Sequence, residues 1–185
     1  YFLKLVFIFA SIFWLLPVIT SAATFSWSPV FVSTEPNSEF EVSLLINGDK
    51  EKINALSGTI TYNPADLILK EVREADSAIN FWLEKPDLTK PGTVNFSGII
   101  PGGFDAVLSP YYAVGRPGKI VSLVFKSKHD GESLLNLTSP QVFLNNAEAS
   151  LAKIETLPPL AINIQSGGTN NALVSKISPD NDPPE

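Results

Sequence analysis

The chain has 185 residues, with 13 Lys+Arg, 19 Asp+Glu, one His and no Cys, for a formal charge of −6. Without Cys there is no disulfide framework, no thiolate metal site and no cysteine nucleophile, and one His leaves a single imidazole base and no His-rich zinc site. An acidic chain also lacks the electrostatic footprint of a nucleic-acid binder, while 44% apolar residues fit a packed domain rather than disorder.

There is no Met and residue 1 is Tyr, so the chain is expected to be a fragment of a longer gene product. Lys4 precedes the apolar run Leu5 to Val18, and Ser21-Ala22-Ala23 follows it. A positive residue, a short apolar stretch and a small-x-small site describe a secretory signal peptide. Residues 1–23 are therefore predicted to be a signal peptide, with Thr24 the first residue of the mature chain. The alternative is an uncleaved anchor, but the run is shorter than the ~20 residues that span a bilayer. The chain is expected to be secreted or extracellular. A Cys-free exported domain points to a bacterial cell surface.

From Phe25 onward the hydrophobic period is two. Phe40, Val42, Leu44 and Ile46 alternate with more polar residues until Asn47-Gly48-Asp49 turns the chain. Leu56, Gly58, Ile60 and Tyr62 alternate with Ser57, Thr59 and Thr61, and Asn63-Pro64 ends that strand. Leu67 to Val72 is a further extended candidate. Thr93 to Ile100 lies between Pro91-Gly92 and Pro101-Gly102-Gly103, and Lys119 to Lys126 stops before His129-Asp130-Gly131. Leu134 to Leu137, Gln141 to Leu144 and Ala161 to Ile164 complete the set. Asp66 to Ala78 has room for one helical turn. Short alternating strands punctuated by Gly, Pro and Asn predict an all-β protein, a single antiparallel sandwich over residues 24–165. Leu56, Ile60, Tyr62, Val94, Phe96, Val121, Leu123 and Phe125 are predicted to fill it.

Residues 166–185 change character. Gly, Ser, Asn and Pro without apolar periodicity read as a flexible linker. Asp180 to Glu185 resembles the opening of bacterial immunoglobulin-like surface domains, so the natural protein is expected to continue. Any membrane contact is expected through an anchor encoded further on.

Catalytic chemistry is sparse, and no catalytic residue is assigned. His129 sits in a polar turn without an oriented partner. Ser57 and Ser97 lie beside glycines but outside a Gly-x-Ser-x-Gly elbow. Glu71, Glu74 and Asp76 form an acidic group around Arg73. Paired carboxylates can cleave glycosides when held across a cleft, but nothing here marks one, and charged sheet edges also deter aggregation. Asp105, Asp130 and Glu132 carry hard oxygen ligands, but no loop has EF-hand spacing. No cofactor or resident metal is expected.

Two other groups of residues are candidates for binding. Trp82 and Tyr112 offer aromatic faces that could stack on sugar rings; Tyr112 lies in a long Gly- and Pro-rich segment of the kind that tends to be functional or mobile. Trp27 reads as core. The outward positions Ser57, Thr59, Thr61, Thr93, Asn95 and Ser97 would form a flat polar face. Such a face can be merely solvated or can receive a partner. Asn95-Phe96-Ser97 and Asn136-Leu137-Thr138 are glycosylation sequons that matter only in a glycosylating host.

The order of several short motifs resembles the cohesin domain. Phe25-Ser26-Trp27-Ser28-Pro29 opens the region, and Ser38 to Leu44 follows as an alternating strand. The run ending Tyr62-Asn63-Pro64-Ala65-Asp66-Leu67 is similar to the family's Tyr-Asp-Pro-x-x-Leu, with Asn63 in place of Asp. Gly118 to Lys126 resembles its Gly-x-Leu-x-x-Leu-x-Phe-Lys strand, and His129 to Ser133 the turn after it. The resemblance spans Phe25 to Ile164. It implies a jelly-roll sandwich of about nine strands and a non-catalytic module that binds a dockerin-type domain, linked to polysaccharide breakdown. It implies a contact face that includes Ser57, Thr59, Thr61, Asn95 and Ser97. The domain itself is expected to be monomeric. The rival expectations are a carbohydrate-binding module that takes a polysaccharide on Trp82 or Tyr112, and a structural spacer of a surface adhesin.

Overall fold

The computed structural model describes residues 22–48, 51–104 and 116–167. The predicted signal peptide up to Ser21, the linker from residue 168 and the candidate Tyr112 lie outside these residues.

Eleven strand segments follow in order: β1 (Ala22–Ser28), β2 (Val32–Thr34), β3 (Glu39–Asn47), β4 (Ile53–Thr61), β5 (Leu67–Arg73), β6 (Phe81–Glu84), β7 (Thr93–Phe104), β8 (Gly118–Ser127), β9 (Gly131–Leu144), β10 (Lys153–Ile154) and β11 (Leu160–Ile164). They form two sheets, ordered β10-β1-β3-β8-β5 and β2-β11-β9-β4-β7-β6. The all-β sandwich expected from the period-two pattern is the fold observed. The excess over nine strands comes from short pieces such as β2 and β10, which leave little alternation to read. Pairs of these strands are antiparallel except that β1 runs parallel to β10 and β2 parallel to β11; an isolated parallel bridge joins Ser77 to Lys119.

Each sheet turns its apolar side inward because side chains alternate along a strand. All eight residues predicted for the core belong to it, with Phe96 and Phe125 among the largest fully buried side chains. Trp27 is buried with them, at 5% exposure.

Three local expectations are corrected. Leu134 to Leu137 and Gln141 to Leu144 are one strand, β9, whose register against β4 shifts between Ser57 and Thr59. Ser57 faces Gln141 and Thr59 faces Thr138, so two β9 residues, Ser139 and Pro140, oppose Gly58 alone. Ser139 takes φ 49°, a bulge that keeps the strand continuous through a proline. Second, β7 does not stop at Ile100 but runs through Pro101-Gly102-Gly103 to Phe104. Third, the helical turn expected between Asp66 and Ala78 is strand β5 followed by a tight turn from Glu74 to Ser77. The first strand begins at Ala22, and Ala23 is 2% exposed within the core.

At the end of β8, Ser127 fixes the turn that precedes β3. Its buried hydroxyl donates to the Glu35 carbonyl at 2.5 Å and accepts from the Ser38 N–H at 3.2 Å. Ser127→Ala is expected to lower stability by about 1–3 kcal/mol, because a turn carbonyl and amide lose a buried partner. Urea denaturation would measure it, and a loss within error would mean water replaces the hydroxyl.

Candidate functional site

The outer face of the six-stranded sheet collects the residues singled out by alternation. Directly opposed residues on neighbouring strands point to the same side, so the register of β9, β4 and β7 builds the face row by row. The central row is Thr138, Thr59 and Asn95. Here the Thr59 hydroxyl donates to Asn95 Oδ1 at 3.0 Å, and the Thr138 hydroxyl donates to the Thr59 carbonyl at 3.1 Å. On one side lies the row Asn136, Thr61 and Thr93; on the other, Gln141, Ser57 and Ser97, with Glu84 of β6 beyond. The structure thus brings Ser57, Thr59, Thr61, Asn95 and Ser97 onto one face. It adds Asn136, Thr138 and Gln141, which sequence reasoning left out.

The next row out is apolar. Phe143, Ala55, Ile99 and Phe81 are opposed across β9, β4, β7 and β6. Phe81 is 59% exposed, and Leu83 on the same short edge strand is 62% exposed. The face therefore grades from an apolar end through two polar rows, charged only at Glu84 on the edge, to a row of amide and hydroxyl groups.

Trp82 takes the opposite orientation. It is paired with the inward Gly98 and packs, half-buried, against the core. The exposed ring at this edge is Phe81, not Trp82. The order of two adjacent aromatics in a four-residue strand gives no periodicity from which to tell which one faces out.

The other candidates are each engaged locally. His129 is exposed, with Nε2 3.4 Å from Asp66 Oδ1 and Nδ1 3.2 Å from the Asp130 carbonyl. Asp130 in turn accepts from the Ser166 N–H at 2.6 Å, tying down the chain after β11. Of the acidic group, Glu71 accepts from Arg73 at 2.8 Å, and Arg73 also bonds Glu41 across the sheet. The hydrogen bond from Arg73 holds the Glu71 carboxyl below the usual glutamate range, and the same bond raises Arg73. These three side chains lie over β8, where the outward Ser122 and Val124 are buried. Glu74 pairs with Lys85 at 3.2 Å and Asp76 lies 3.9 Å from Lys119. Each of these carboxylates thus has a basic neighbour, and the Arg73–Glu41 pair links β5 to β3 over β8. No cluster with a metal-ligand set occurs among the described residues.

No family model and no curated protein matches the sequence. Solved structures do match. The cohesin of a Clostridium thermocellum cohesin–dockerin complex aligns with a TM-score of 0.61 at 10% identity, covering 81% of this chain and 99% of that one. A cohesin module from a Clostridium perfringens family 33 glycoside hydrolase aligns at 0.57 and 18% identity, covering 78% and 98%. A non-cellulosomal cohesin from the hyperthermophilic archaeon Archaeoglobus fulgidus aligns at 0.57 and 12% identity, covering 80% and 92%. The chain has the cohesin fold.

Proposed function

We propose that this cohesin-fold domain is an exported, non-catalytic binding module that assembles proteins at a cell surface. It takes a calcium-loaded dockerin-type domain on the outer face of its six-stranded sheet, and the partner brings a polysaccharide-degrading activity. The observation that carries the reading is the graded face itself. Its middle rows offer hydroxyls and amides with no buried charge to desolvate, and its Phe81 end supplies an exposed apolar anchor, the composition of a docking surface. Solved cohesins of this fold were crystallised with dockerins, including the sixth cohesin of scaffoldin B from Acetivibrio cellulolyticus and the third ScaB cohesin of R. flavefaciens.

The test is retention of a panel of calcium-loaded dockerins on the immobilised protein, with release by chelator, since removing the metal unfolds a calcium-built partner. Thr59→Arg places a long cation at the centre of the face. It is expected to weaken binding about 30-fold or more, the ~2 kcal/mol that a central interface position carries. Retention of no dockerin, or binding indifferent to Thr59→Arg, would reject the reading.

A further inference from the structure

The polar end of the face opens into a shallow, solvent-open cavity of about 420 Å³. It forms where two paired strands part. Thr61 of β4 still faces Asn136 of β9, but the chain then turns away, with the N–H groups of Asp66 and Leu67 donating to the Asn63 carbonyl. Meanwhile β9 continues through Leu134, Ser133 and Glu132 to pair with β11. The gap left between them is the cavity.

Its walls mix apolar surface with two carboxylates and two amides. The Asp66 side chain is 17% exposed; its Oδ2 accepts from Asn63 Nδ2 at 2.7 Å, and each carboxylate oxygen retains lone pairs. Glu132 has no ion-pair partner among the described residues. Asn136 adds an amide, the Asn63 amide oxygen already accepts from the Ala65 N–H at 3.0 Å, and no Lys or Arg among the described residues lines the space. Lys128 Nζ is bound to the Pro64 carbonyl, and the His129 ring stands 3.4 Å from Asp66 Oδ1, leaving Glu132 as the carboxylate without such a neighbour. Leu134, 48% exposed, supplies an apolar wall. Ser133, also in the wall, is 3% exposed and its hydroxyl has no partner, an unusual cost unless something supplies one.

We propose that this cavity receives one basic side chain, arginine or lysine, from the protein that docks on the adjoining face. The aliphatic stem lies along Leu134 while the charged head meets the Asp66 and Glu132 carboxylates, the arrangement in which long cationic side chains bury their methylenes and keep the head paired. A sugar ring is the poorer occupant. The aromatic residue in the wall, Tyr62, is 9% exposed and packs edge-on to Phe125, so it presents no face for stacking. The inference rests on the docking reading for the source of the side chain.

The test is an NMR titration of the isotope-labelled protein with arginine amide, with its neutral isostere citrulline amide, and with cellobiose. Arginine amide is expected to shift the backbone amides of Leu134 and Asn136 at millimolar concentration, and citrulline amide to leave them unmoved. The double variant Asp66→Asn, Glu132→Gln should weaken the arginine response roughly tenfold or more, as loss of a charge-assisted contact does. Glu132→Gln alone, on an exposed strand position, keeps the test valid if Asp66→Asn perturbs the turn. No shift, equal shifts with citrulline amide, or a response to cellobiose alone would overturn the assignment. Arginine binding with no dockerin retained would keep the cavity and remove the docking reading. A dockerin whose affinity and salt dependence ignore both variants would do the reverse.

Discussion

Phe125→Ala is expected to cost about 3–5 kcal/mol of folding free energy, the range for deleting a buried aromatic. Phe125 is 0% exposed on β8, which runs between β3 and β5. Its ring stacks on Phe40 at 5.8 Å and meets the edge of Tyr62 at 5.0 Å. Tyr62 follows β4, so this one ring joins the two sheets. A cavity there would remove contact from both. Chemical denaturation would show a lower midpoint at unchanged slope. A cost near 1 kcal/mol would mean that the sheets close over the gap.

Gly98→Ala is expected to act on the edge of the face. A Cβ at this position would stand 2.3 Å from Ile79 Cγ2 and 3.0 Å from the Phe81 carbonyl oxygen. The first atom is a methyl on a branched carbon and the second is backbone, so neither can swing aside. Overpacking of this kind costs about 1–3 kcal/mol, and the least anchored element must yield. That element is β6, an edge strand that among the described residues pairs with β7 alone. Hydrogen exchange at Trp82 and Leu83 should accelerate while β3 and β8 stay protected. Uniform exchange across all strands, or no change at all, would contradict this account of the edge.

The long central strands were legible because one side faces the core and the other does not. Val42, Leu44 and Ile46 of β3, and Leu56 and Ile60 of β4, write that alternation directly. The face residues of β4 and β7 followed from the same rule. Asn136, Thr138 and Gln141 could not be assigned this way. Their place beside β4 depends on pairing between segments some eighty residues apart, and Pro140 disguises the strand that carries them. Gly102-Gly103 misled in a similar way, since both adopt positive φ yet lie within β7. The cavity was invisible for a different reason. It arises from a divergence of two strands, and neither Asp66 nor Glu132 carries a local mark of the other.

The two parallel contacts have a mechanical consequence. The strands β1 and β2 lead the chain into the domain, and β10 and β11 lead it out. Tension applied to the chain on both sides pulls each parallel pair in opposite directions along a shared axis. The pairings of Val32 to Thr34 with Ile162 to Ile164 are then sheared together rather than peeled apart one by one. Those of Ala22 and Ala23 with Lys153 and Ile154 are stressed in the same sense. Pull is thus borne at the margins of the sandwich, while β4 and β7 lie off the line of force and can keep their shape under tension.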